Sequence, residues 1–404
     1  MQTGVSTNYN VSETDTEKTA ALLESGANLN GSMELALSNS DTTNAQTADF
    51  SNSTGKKKVT LAGGDQEVKF NDEGGNVAII ESSSAGEKNV SLGGGGDLVI
   101  VKETETPVNI TAGSGKDTIV TAGNNVKVDM KGGATKIVPN RGNVEVTNYD
   151  ASTGAGIQID AFSDIRRAVV NDNISFNNGT ISFGESTVVV NNTESESTTV
   201  NLFSNQGSQQ KVVYTHSDGG LINASGEREN LLLVGNKNMD KGNASIVSGR
   251  GNDSALGGAG DYFDLGAGNN TVYLSENRNG AERGSTVAIT TNTGRTEVFG
   301  FAVGFGETAD RVNIDISKAQ VAYKGGNVTF TVGSASLILN LNNYSYLAES
   351  ADLISDDNFI CDTTLDDITP ITFEQGEYQN LYDTTFATAH NTLSSGSEIT
   401  FASV

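Results

Sequence analysis

Short pulses of apolar residues recur along most of this chain at a nearly constant spacing. In the first series, from Val59/Leu61 to Val144/Val146, most successive pulses lie nine or ten residues apart. A second series with similar spacing covers residues 212–298. Within most pulses apolar and polar residues alternate, which is the period of a strand and not of a helix. The pattern therefore predicts many short β-strands.

Clusters of Gly, Asn or Asp separate many of the pulses and indicate turns. Short strands at constant spacing are typical of an antiparallel sandwich or barrel, or of a solenoid with one strand per half-turn. Nine residues hold a strand of about four and a turn of about five, which favours the solenoid. The predicted fold class is all-β, with tandem parallel β-roll or β-solenoid modules, alternating-strand caps and possible short helices at the ends.

Each series of pulses is followed by a similar segment, at residues 157–190 and 312–341. Both begin with an apolar-x-apolar-Asp sequence and continue with two alternating strands headed by Gly179 and Gly326. We interpret this as an internal duplication of a roll and a cap that covers the open edge of the stack, with chance similarity as the alternative. The predicted organisation is a polar N-terminal segment (1–55), a first roll (56–147), a first cap (148–200), a second roll (201–298), a second cap (299–345) and a tail (346–404).

Two segments outside the rolls are helix candidates. The stretch "SETDTEKTAALLES" at residues 12–25 begins with a capping serine, and "LAESADLISDDNFI" at residues 347–360 is amphipathic. Neither is apolar enough to cross a bilayer, and the chain contains no run of 18 apolar residues. The sequence therefore predicts no membrane span.

Charge and cysteine content narrow the possible partners. The chain has 50 Asp and Glu against 25 Lys and Arg, a formal net charge of −25. Nucleic acid and anionic membranes are poor partners for such a chain, whereas multivalent cations are good ones. Cys361 is the only cysteine, which excludes an intrachain disulfide and a cysteine-rich zinc site.

Glycine and acid residues recur together at the turns. The segments "AGSGKDTIV" (112–120), "SGRGNDSAL" (248–256) and "LGAGNNTVY" (265–273) each have two glycines, then Asp or Asn, at steps of two residues. Stacked turns bring carbonyls and carboxylates into rows, and rows of aspartates repel one another without a cation between them. Calcium takes six to eight oxygen ligands in flexible geometry, so it suits these turns.

This spacing resembles the hemolysin-type calcium repeat, the RTX nonapeptide G-G-x-G-x-D-x-U-x. The resemblance implies a parallel β-roll in which turn carbonyls and the Asp carboxylate bind Ca²⁺, and an inward-pointing residue follows. The residues that it assigns to calcium are Gly249, Gly251, Asp253, Gly258, Gly260, Asp261, Asp264, Gly113, Gly115, Asp117 and Asp97.

Several repeats depart from this pattern. Asp261 is followed directly by Tyr262, and Asn270 stands where an Asp is expected. We therefore expect a degenerate roll with a few calcium sites, best supported where Asp253 lies next to Asp261 and Asp264 along the chain. The alternative for each acid taken singly is a solvated turn of an acidic protein.

Catalytic motifs are missing from the sequence. His216 and His390 are the two histidines and no known motif surrounds them, and neither HExxH nor GxSxG occurs. Proteins that resemble RTX proteins usually carry a C-terminal secretion signal and no N-terminal one. The resemblance thus implies type I export to the extracellular side of a bacterial cell surface.

The favoured function is not enzymatic: an exported, calcium-stabilised structural protein that self-assembles, as a homo-oligomer or polymer, into a surface layer or an extracellular filament. A secreted adhesin that binds a cell-surface glycan is the alternative, for which Tyr344/Tyr346 and Tyr378/Tyr382 are candidate contacts. A β-helix enzyme acting on a polysaccharide is a third interpretation.

Overall fold

The computed structural model of the 404-residue chain describes residues 30–38, 45–82, 85–191, 196–216, 220–235, 244–258, 260–274, 284–290, 293–302, 309–314, 319–324, 327–341 and 359–360. The chain divides into two compact units, residues 1–212 and 213–404. Strands make up 52% of the structure and helices 3%, and the strands form a β-solenoid of about 11 turns with parallel stacked sheets. The predicted fold class is therefore confirmed.

Unit 1 contains seventeen strands among its described residues. In chain order these are β1 (Met33–Leu37), β2 (Gln46–Asp49), β3 (Lys57–Leu61), β4 (Gln66–Lys69), β5 (Val77–Ile80), β6 (Lys88–Ser91), β7 (Leu98–Val101), β8 (Val108–Thr111), β9 (Thr118–Thr121), β10 (Val126–Asp129), β11 (Lys136–Pro139), β12 (Gly142–Thr147), β13 (Gly156–Ile159), β14 (Ile174–Asn177), β15 (Thr180–Phe183), β16 (Ser186–Val190) and β17 (Ser197–Ser204).

The strands of unit 1 alternate between two sheets, so that each coil contributes one strand to each sheet. Sheet one contains the odd-numbered strands β1 to β13 followed by β17, and sheet two contains the even-numbered strands β2 to β12 followed by β16, β15 and β14. Strands β1 and β2 lie within residues 1–55, where the sequence pattern did not predict strands. The helix candidate at residues 12–25 lies outside the described residues.

Register places the same kind of residue in the same position of successive coils. Val59 pairs with Ala78, Ala78 with Val99, and Val99 with Ile119. All four side chains are fully buried between the sheets. The inward residues of β5 are thus Ala78 and Ile80, whereas Val77 and Ile79, equally apolar, point outward.

Unit 2 has the same construction. Its strands are β18 (Gln209–Thr215, which crosses the unit boundary), β19 (Leu221–Asn223), β20 (Leu231–Val234), β21 (Ser245–Val247), β22 (Ser254–Gly257), β23 (Tyr262–Asp264), β24 (Asn269–Leu274), β25 (Thr286–Ala288), β26 (Thr293–Phe299), β27 (Arg311–Asn313), β28 (Gln320–Lys324), β29 (Asn327–Val332), β30 (Ser334–Asn340) and β31 (Phe359–Ile360).

Two sheets again face each other in unit 2. Sheet three runs in the order β20, β22, β24, β26, β30, β29, β28, and sheet four in the order β19, β21, β23, β25, β27, β31. Aliphatic and aromatic side chains, including Phe263, Phe301 and Phe330, fill the space between them. Phe359 and Ile360, which the sequence pattern placed at the end of a helix, form strand β31 instead.

Each unit contains one antiparallel three-strand meander. In unit 1 β16 lies parallel to β12, and β15 and β14 then follow in alternating directions. In unit 2 β30 lies parallel to β26, and β29 and β28 follow in the same way. The turn between β14 and β15 is formed by Asn178 and Gly179, both with positive φ, as a tight hairpin requires. Gly326, the predicted equivalent of Gly179, lies outside the described residues.

The helices among the described residues are short. Helix α1 (Ile165–Val170) has six residues, and its N-cap Asp164 accepts a hydrogen bond from the Arg167 amide at 3.0 Å. The sequence pattern did not predict this helix. None of the described helices has the length or hydropathy of a transmembrane segment.

Candidate functional site

The predicted acids of unit 1 lie in a single column at one corner of the coil. Asp97 and Asp117 immediately precede β7 and β9, and the register continues the column through Lys57, Asn76 and Thr135. All five side chains are at most 5% exposed. The corner is therefore a buried polar ladder at the edge of the core, and not a solvated turn.

Hydrogen bonds connect successive members of this ladder. The amide of Lys57 donates to Asn76 Oδ1, that of Asn76 to Asp97 Oδ1, and that of Asp97 to Asp117 Oδ1, each at 2.9 Å. The second oxygen of Asp117 accepts from the Gly113 amide at 3.1 Å. Each side chain thus satisfies an amide of the preceding coil and, for Asp117, an amide of its own turn.

The glycines of these turns are required by close packing between coils. A Cβ built on Gly113 would lie 1.5 Å from the Gly93 carbonyl oxygen, and one on Gly115 would lie 2.0 Å from the Gly95 carbonyl oxygen. Neither Gly113 nor Gly115 has a positive φ. Carbonyl oxygens therefore stack directly against the next coil, and any larger residue would separate the coils.

Burial makes the carboxylates of the column hard to ionise. It is the main cause that raises the pKa of Asp97 and of Asp117, and the hydrogen bonds to amides offset part of this rise. The carboxylate of Asp97 raises the pKa of Asp117 further, because the two negative charges are close. A bound cation would relieve both effects.

Unit 2 contains a second column of the same kind. Asp253 Oδ1 accepts from the Leu231 amide at 2.8 Å, and the Asp253 amide donates to Asn270 Oδ1 at 2.9 Å. Asn270 thus provides the same acceptor that an Asp would provide. Its Nδ2 donates to the Leu265 carbonyl oxygen at 3.0 Å. Asn270, which stands where the repeat has an Asp, therefore preserves the ladder of hydrogen bonds and removes one negative charge.

Asp253 differs from the other carboxylates of the ladders, Asp97 and Asp117, in having a carboxylate oxygen without a hydrogen-bond partner. Its side chain is 1% exposed, and Oδ2 accepts no hydrogen bond. The nearby Ser248 hydroxyl donates its proton to the Leu265 carbonyl oxygen at 2.7 Å. Burial raises the pKa of Asp253, and Ser248 offsets only part of that rise. An orphaned, buried carboxylate oxygen is a suitable ligand for a hard cation.

The glycines around Asp253 follow the packing seen in unit 1. A Cβ on Gly249 would lie 2.1 Å from the Glu227 carbonyl oxygen, and one on Gly251 would lie 2.0 Å from that of Glu229. Gly249 and Gly251 therefore occupy positions equivalent to those of Gly113 and Gly115, where turn carbonyls of successive coils are stacked.

Asp261 belongs to another corner of the coil. It precedes β23 in sheet four, whereas Asp253 precedes β22 in sheet three. Its Oδ1 accepts from the Ala244 amide and its Oδ2 from the Gly258 amide, both at 2.8 Å. Gly260, next to it, has a φ of 85°. The Asp261 carboxylate is therefore occupied on both oxygens by backbone amides.

Asp264 lies at the opposite end of β23 from Asp261. It is partly exposed, and its Oδ2 accepts from the Thr290 hydroxyl at 2.5 Å. The structure therefore places Asp253, Asp261 and Asp264 at three separate positions, although the sequence analysis placed them in one neighbourhood. Among the described residues, no three His, Cys, Asp or Glu side chains converge as metal ligands. Calcium at these corners would depend on backbone carbonyls for most of its ligands.

Two buried lysines, which the sequence analysis did not single out, show how the corners accommodate positive charge. Lys88 is fully buried, and its Nζ donates to the carbonyl oxygens of Gly63 (2.9 Å), Gly64 (2.7 Å) and Gly86 (3.0 Å), and to that of Ala85. These carbonyls belong to the turns of two successive coils. The ammonium group therefore holds the two turns together as a tethered cation.

Turn carbonyls surround the ammonium group of Lys57 in a similar way, in the column that contains Asp97 and Asp117. Its Nζ donates to the carbonyl oxygens of Gly31 (2.5 Å), Thr54 (2.6 Å) and Gly55 (3.1 Å), and lies 5.6 Å from the centre of the Phe50 ring. Burial lowers the pKa of Lys57, as it does for Lys88. A sequence signal exists: each lysine precedes an inward valine by two residues, and the strand period therefore points it inward.

No protein-family model matches the chain, and no curated protein sequence is significantly similar to it.

Proposed function

We propose that this protein is an exported structural protein whose coils are stabilised by calcium, and which self-assembles as a subunit of a bacterial surface layer or an extracellular filament. The observation that carries the proposal is the set of buried carboxylates at the corners of the coils. Asp97 and Asp117 are adjacent in one column, and Asp253 has an oxygen without a hydrogen-bond partner. Charges in this arrangement destabilise the fold unless protons or cations compensate them.

The corners fit a calcium ion in their chemistry. The residues that would hold it are Asp253 in unit 2 and Asp97 and Asp117 in unit 1, together with carbonyl oxygens of the glycine-rich turns. Lys57 and Lys88 support this assignment, because turn carbonyls of the same roll already surround a positive charge. Bound calcium would supply electrostatic compensation and would link successive coils.

The structural part of the proposal rests on charge and shape. A net charge of −25 keeps separate copies apart in the absence of cations, so divalent ions would favour their association. The stacked coils of each unit also present regular faces to neighbouring copies. Repeated contacts between such faces extend into layers or filaments when they do not close on themselves.

Electron microscopy of the full chain with millimolar calcium, and then with chelator, tests the assembly. We expect ordered arrays with calcium and their loss on chelation. Monomers under both conditions would contradict a role as an assembling subunit.

Calorimetry tests the calcium sites separately. Calcium at about 100 times its dissociation constant stabilises a protein by about 2.7 kcal/mol, which raises the melting temperature by roughly 5–10 °C for a unit of this size. We expect this increase to be smaller in Asp253→Asn and unchanged in Asp160→Asn, which alters an exposed acid outside the columns. An equal calcium effect in the wild type and Asp253→Asn would exclude Asp253 as a ligand.

A glycan-binding module is the second candidate, and one observation supports it. The rings of Tyr273 and Phe299 stack with centroids 5.6 Å apart on the outer face of sheet three, beside the ion pair of Arg295 and Glu297. Both rings are partly exposed. The candidate tyrosines 344, 346, 378 and 382 lie outside the described residues. Binding of the monomer to a glycan array, lost in Tyr273→Ala, would favour this function.

A further inference from the structure

The outer face of sheet one in unit 1 is apolar at its centre. The side chains that point away from the core on β5, β7 and β9 alternate with the buried ones, and all remain partly exposed. The apolar members of this set are Val77, Ile79, Leu98, Ile100 and Val120. Register places them side by side on three adjacent strands, so they form one continuous patch.

The outer face of sheet two, in the same unit, is polar. Its outward residues on β4, β6 and β8 are Glu67, Lys69, Asn89, Ser91, Asn109 and Thr111. The two faces have the same backbone geometry, so the difference lies in the side chains alone. Strands that are apolar on both faces, such as the LVIV of β7, are typical of sheets that are covered on both sides. Sheet one therefore has the composition of a sheet whose outer face is covered.

Charged residues flank the patch on both sides in the same row. Glu34 on β1 is exposed, and Lys136 on β11 is partly exposed, with its Nζ 4.4 Å from the centre of the Phe203 ring. The row runs from Glu34 through Lys58, Val77, Leu98 and Thr118 to Lys136. At one end of the row Glu34 forms an ion pair with its neighbour Lys58, whose Nζ lies 2.6 Å from Glu34 Oε1; Lys136 is the positive charge at the other end, and Val77 and Leu98 lie in the middle.

This row is complementary to itself when its order is reversed. A two-fold axis along the strands, between β5 and β7, would place Glu34 over Lys136 and Val77 over Leu98. In the neighbouring row the same axis would place Thr60 over Val120 and Ile79 over Ile100. A two-fold axis across the strands, through this row, would preserve the strand order and place Glu34 over Glu34, Lys58 over Lys58 and Lys136 over Lys136. Like charges in contact are unfavourable, so the reversed order is preferred.

We propose that the outer face of sheet one binds the same face of a second copy of this chain, with the strand order reversed. This inference rests on the proposed function as a self-assembling subunit and names one of its contacts. Six strands about 4.8 Å apart, with about 13 Å of each in contact, give an interface of roughly 400 Å² per copy. A stable pair usually needs about 800 Å² per partner. The contact is therefore weak in an isolated pair and becomes effective when it repeats within an array.

Cross-linking between copies tests the orientation directly. The variant Thr60→Cys/Val120→Cys, in a Cys361→Ser background, carries cysteines on β3 and β9. Three strand spacings, about 14 Å, separate them within one chain, and facing sheets of two copies lie only about 10 Å apart. We expect a short bis-maleimide to link copies of the double variant. We also expect at most one-tenth of that yield from Thr60→Cys or Val120→Cys alone, where like positions do not face each other.

Cross-links of equal yield in a single-cysteine protein would overturn the reversed order. Arrays in the microscope without cross-links in the double variant would overturn this inference and leave the proposed function intact. Absence of both arrays and cross-links would contradict the proposed function as well.

Substitutions test the chemistry of the contact by sedimentation equilibrium with calcium present. Ile79→Asp and Ile100→Asp should each raise the dissociation constant of the pair at least tenfold. Thr111→Asp, a matched change on the outer face of sheet two, should leave it within twofold. Equal effects at all three positions would contradict the assignment to sheet one.

A charge exchange separates a contact between copies from a loss of folding. Glu34→Lys and Lys136→Glu should each weaken association about tenfold, because each places like charges opposite one another. The double variant Glu34→Lys/Lys136→Glu restores opposite charges and should return the dissociation constant to within about threefold of the wild type. A double variant as weak as the single ones would overturn the proposed pairing of Glu34 with Lys136.

Discussion

The amide of Asp97 donates a hydrogen bond to the carboxylate of Asp117, the residue at the same position in the next coil. Both side chains are almost completely buried, so each acid serves the backbone of its neighbouring coil at the cost of a desolvated charge. At this corner the buried amide needs a hydrogen-bond acceptor, and the buried carboxylate that provides it needs a proton or a cation to compensate its charge.

Removal of the acceptor at residue 117 should destabilise unit 1. In Asp117→Ala the Asp97 amide loses its partner while it remains buried, which costs about 1–3 kcal/mol. In Asp117→Asn the acceptor for the Asp97 amide is retained and the charge removed, but the Gly113 amide loses its acceptor Oδ2. We expect Asp117→Asn to lose less stability than Asp117→Ala in denaturant titrations with chelator. A loss in Asp117→Asn as large as that in Asp117→Ala would contradict the importance of the acceptor for the Asp97 amide.

The pH dependence of stability should reflect the raised pKa values of Asp97 and Asp117. A carboxyl whose pKa is higher in the folded state stabilises the fold at a pH below its unfolded pKa. This contribution is lost as the pH rises through the folded pKa. In chelator, melting temperatures should therefore fall from about pH 4 towards pH 7. The fall should be smaller in the Asp97→Asn/Asp117→Asn variant, and identical profiles would contradict the assignment.

Gly113→Ala should be among the most destabilising single substitutions in unit 1. Its Cβ would lie 1.5 Å from the Gly93 carbonyl oxygen, and the other atoms close to it, Gly93 C and the Leu92 carbonyl oxygen, are also backbone of the preceding turn. We expect a loss of about 3 kcal/mol or more, comparable to overpacking of a core. Gly226→Ala is the control, because nothing lies within 4 Å of its Cβ and its φ is not positive. Denaturant unfolding should show a change of at most about 0.5 kcal/mol for the control.

Lys88→Met should destabilise unit 1 although it replaces a buried charge with an apolar side chain. The substitution removes the ammonium donor that four turn carbonyls of two coils share, and buried carbonyls left without a donor cost about 1–3 kcal/mol. Lys127→Met removes an exposed ion pair with Glu145 and should cost at most about 1 kcal/mol. Equal stabilities of the two variants in urea titrations would contradict a structural role for the Lys88 ammonium group.

The repetitive part of the fold was predictable from the sequence, because strand alternation and spacing are local properties. The phase of β5 was not, since Val77, Ala78, Ile79 and Ile80 are all apolar and the alternation within the strand is lost. Only the pairing of Val59 with Ala78 determines which of them face the core. Register with neighbouring strands decides the orientation where the local pattern does not.

The residues of the candidate site were predictable from the sequence, but which of them lie together at one corner was not. Asp253 and Asp261 are close along the chain, but successive half-coils belong to different sheets, so they lie at different corners. Acids a full coil apart, such as Asp97 and Asp117, are the ones that meet. Lys57 and Lys88 escaped prediction because lysine is rarely buried.

The ladder at the corners has a consequence for how such a chain changes in evolution. Asn76, Asp97 and Asp117 each accept a hydrogen bond from the backbone amide one coil earlier, and they are interchangeable in this respect. A tandem copying or loss of one whole repeat would leave each surviving residue with an equivalent neighbour. The gene can therefore change the number of coils in fixed steps, whereas an insertion of a few residues within a repeat would misalign every later corner.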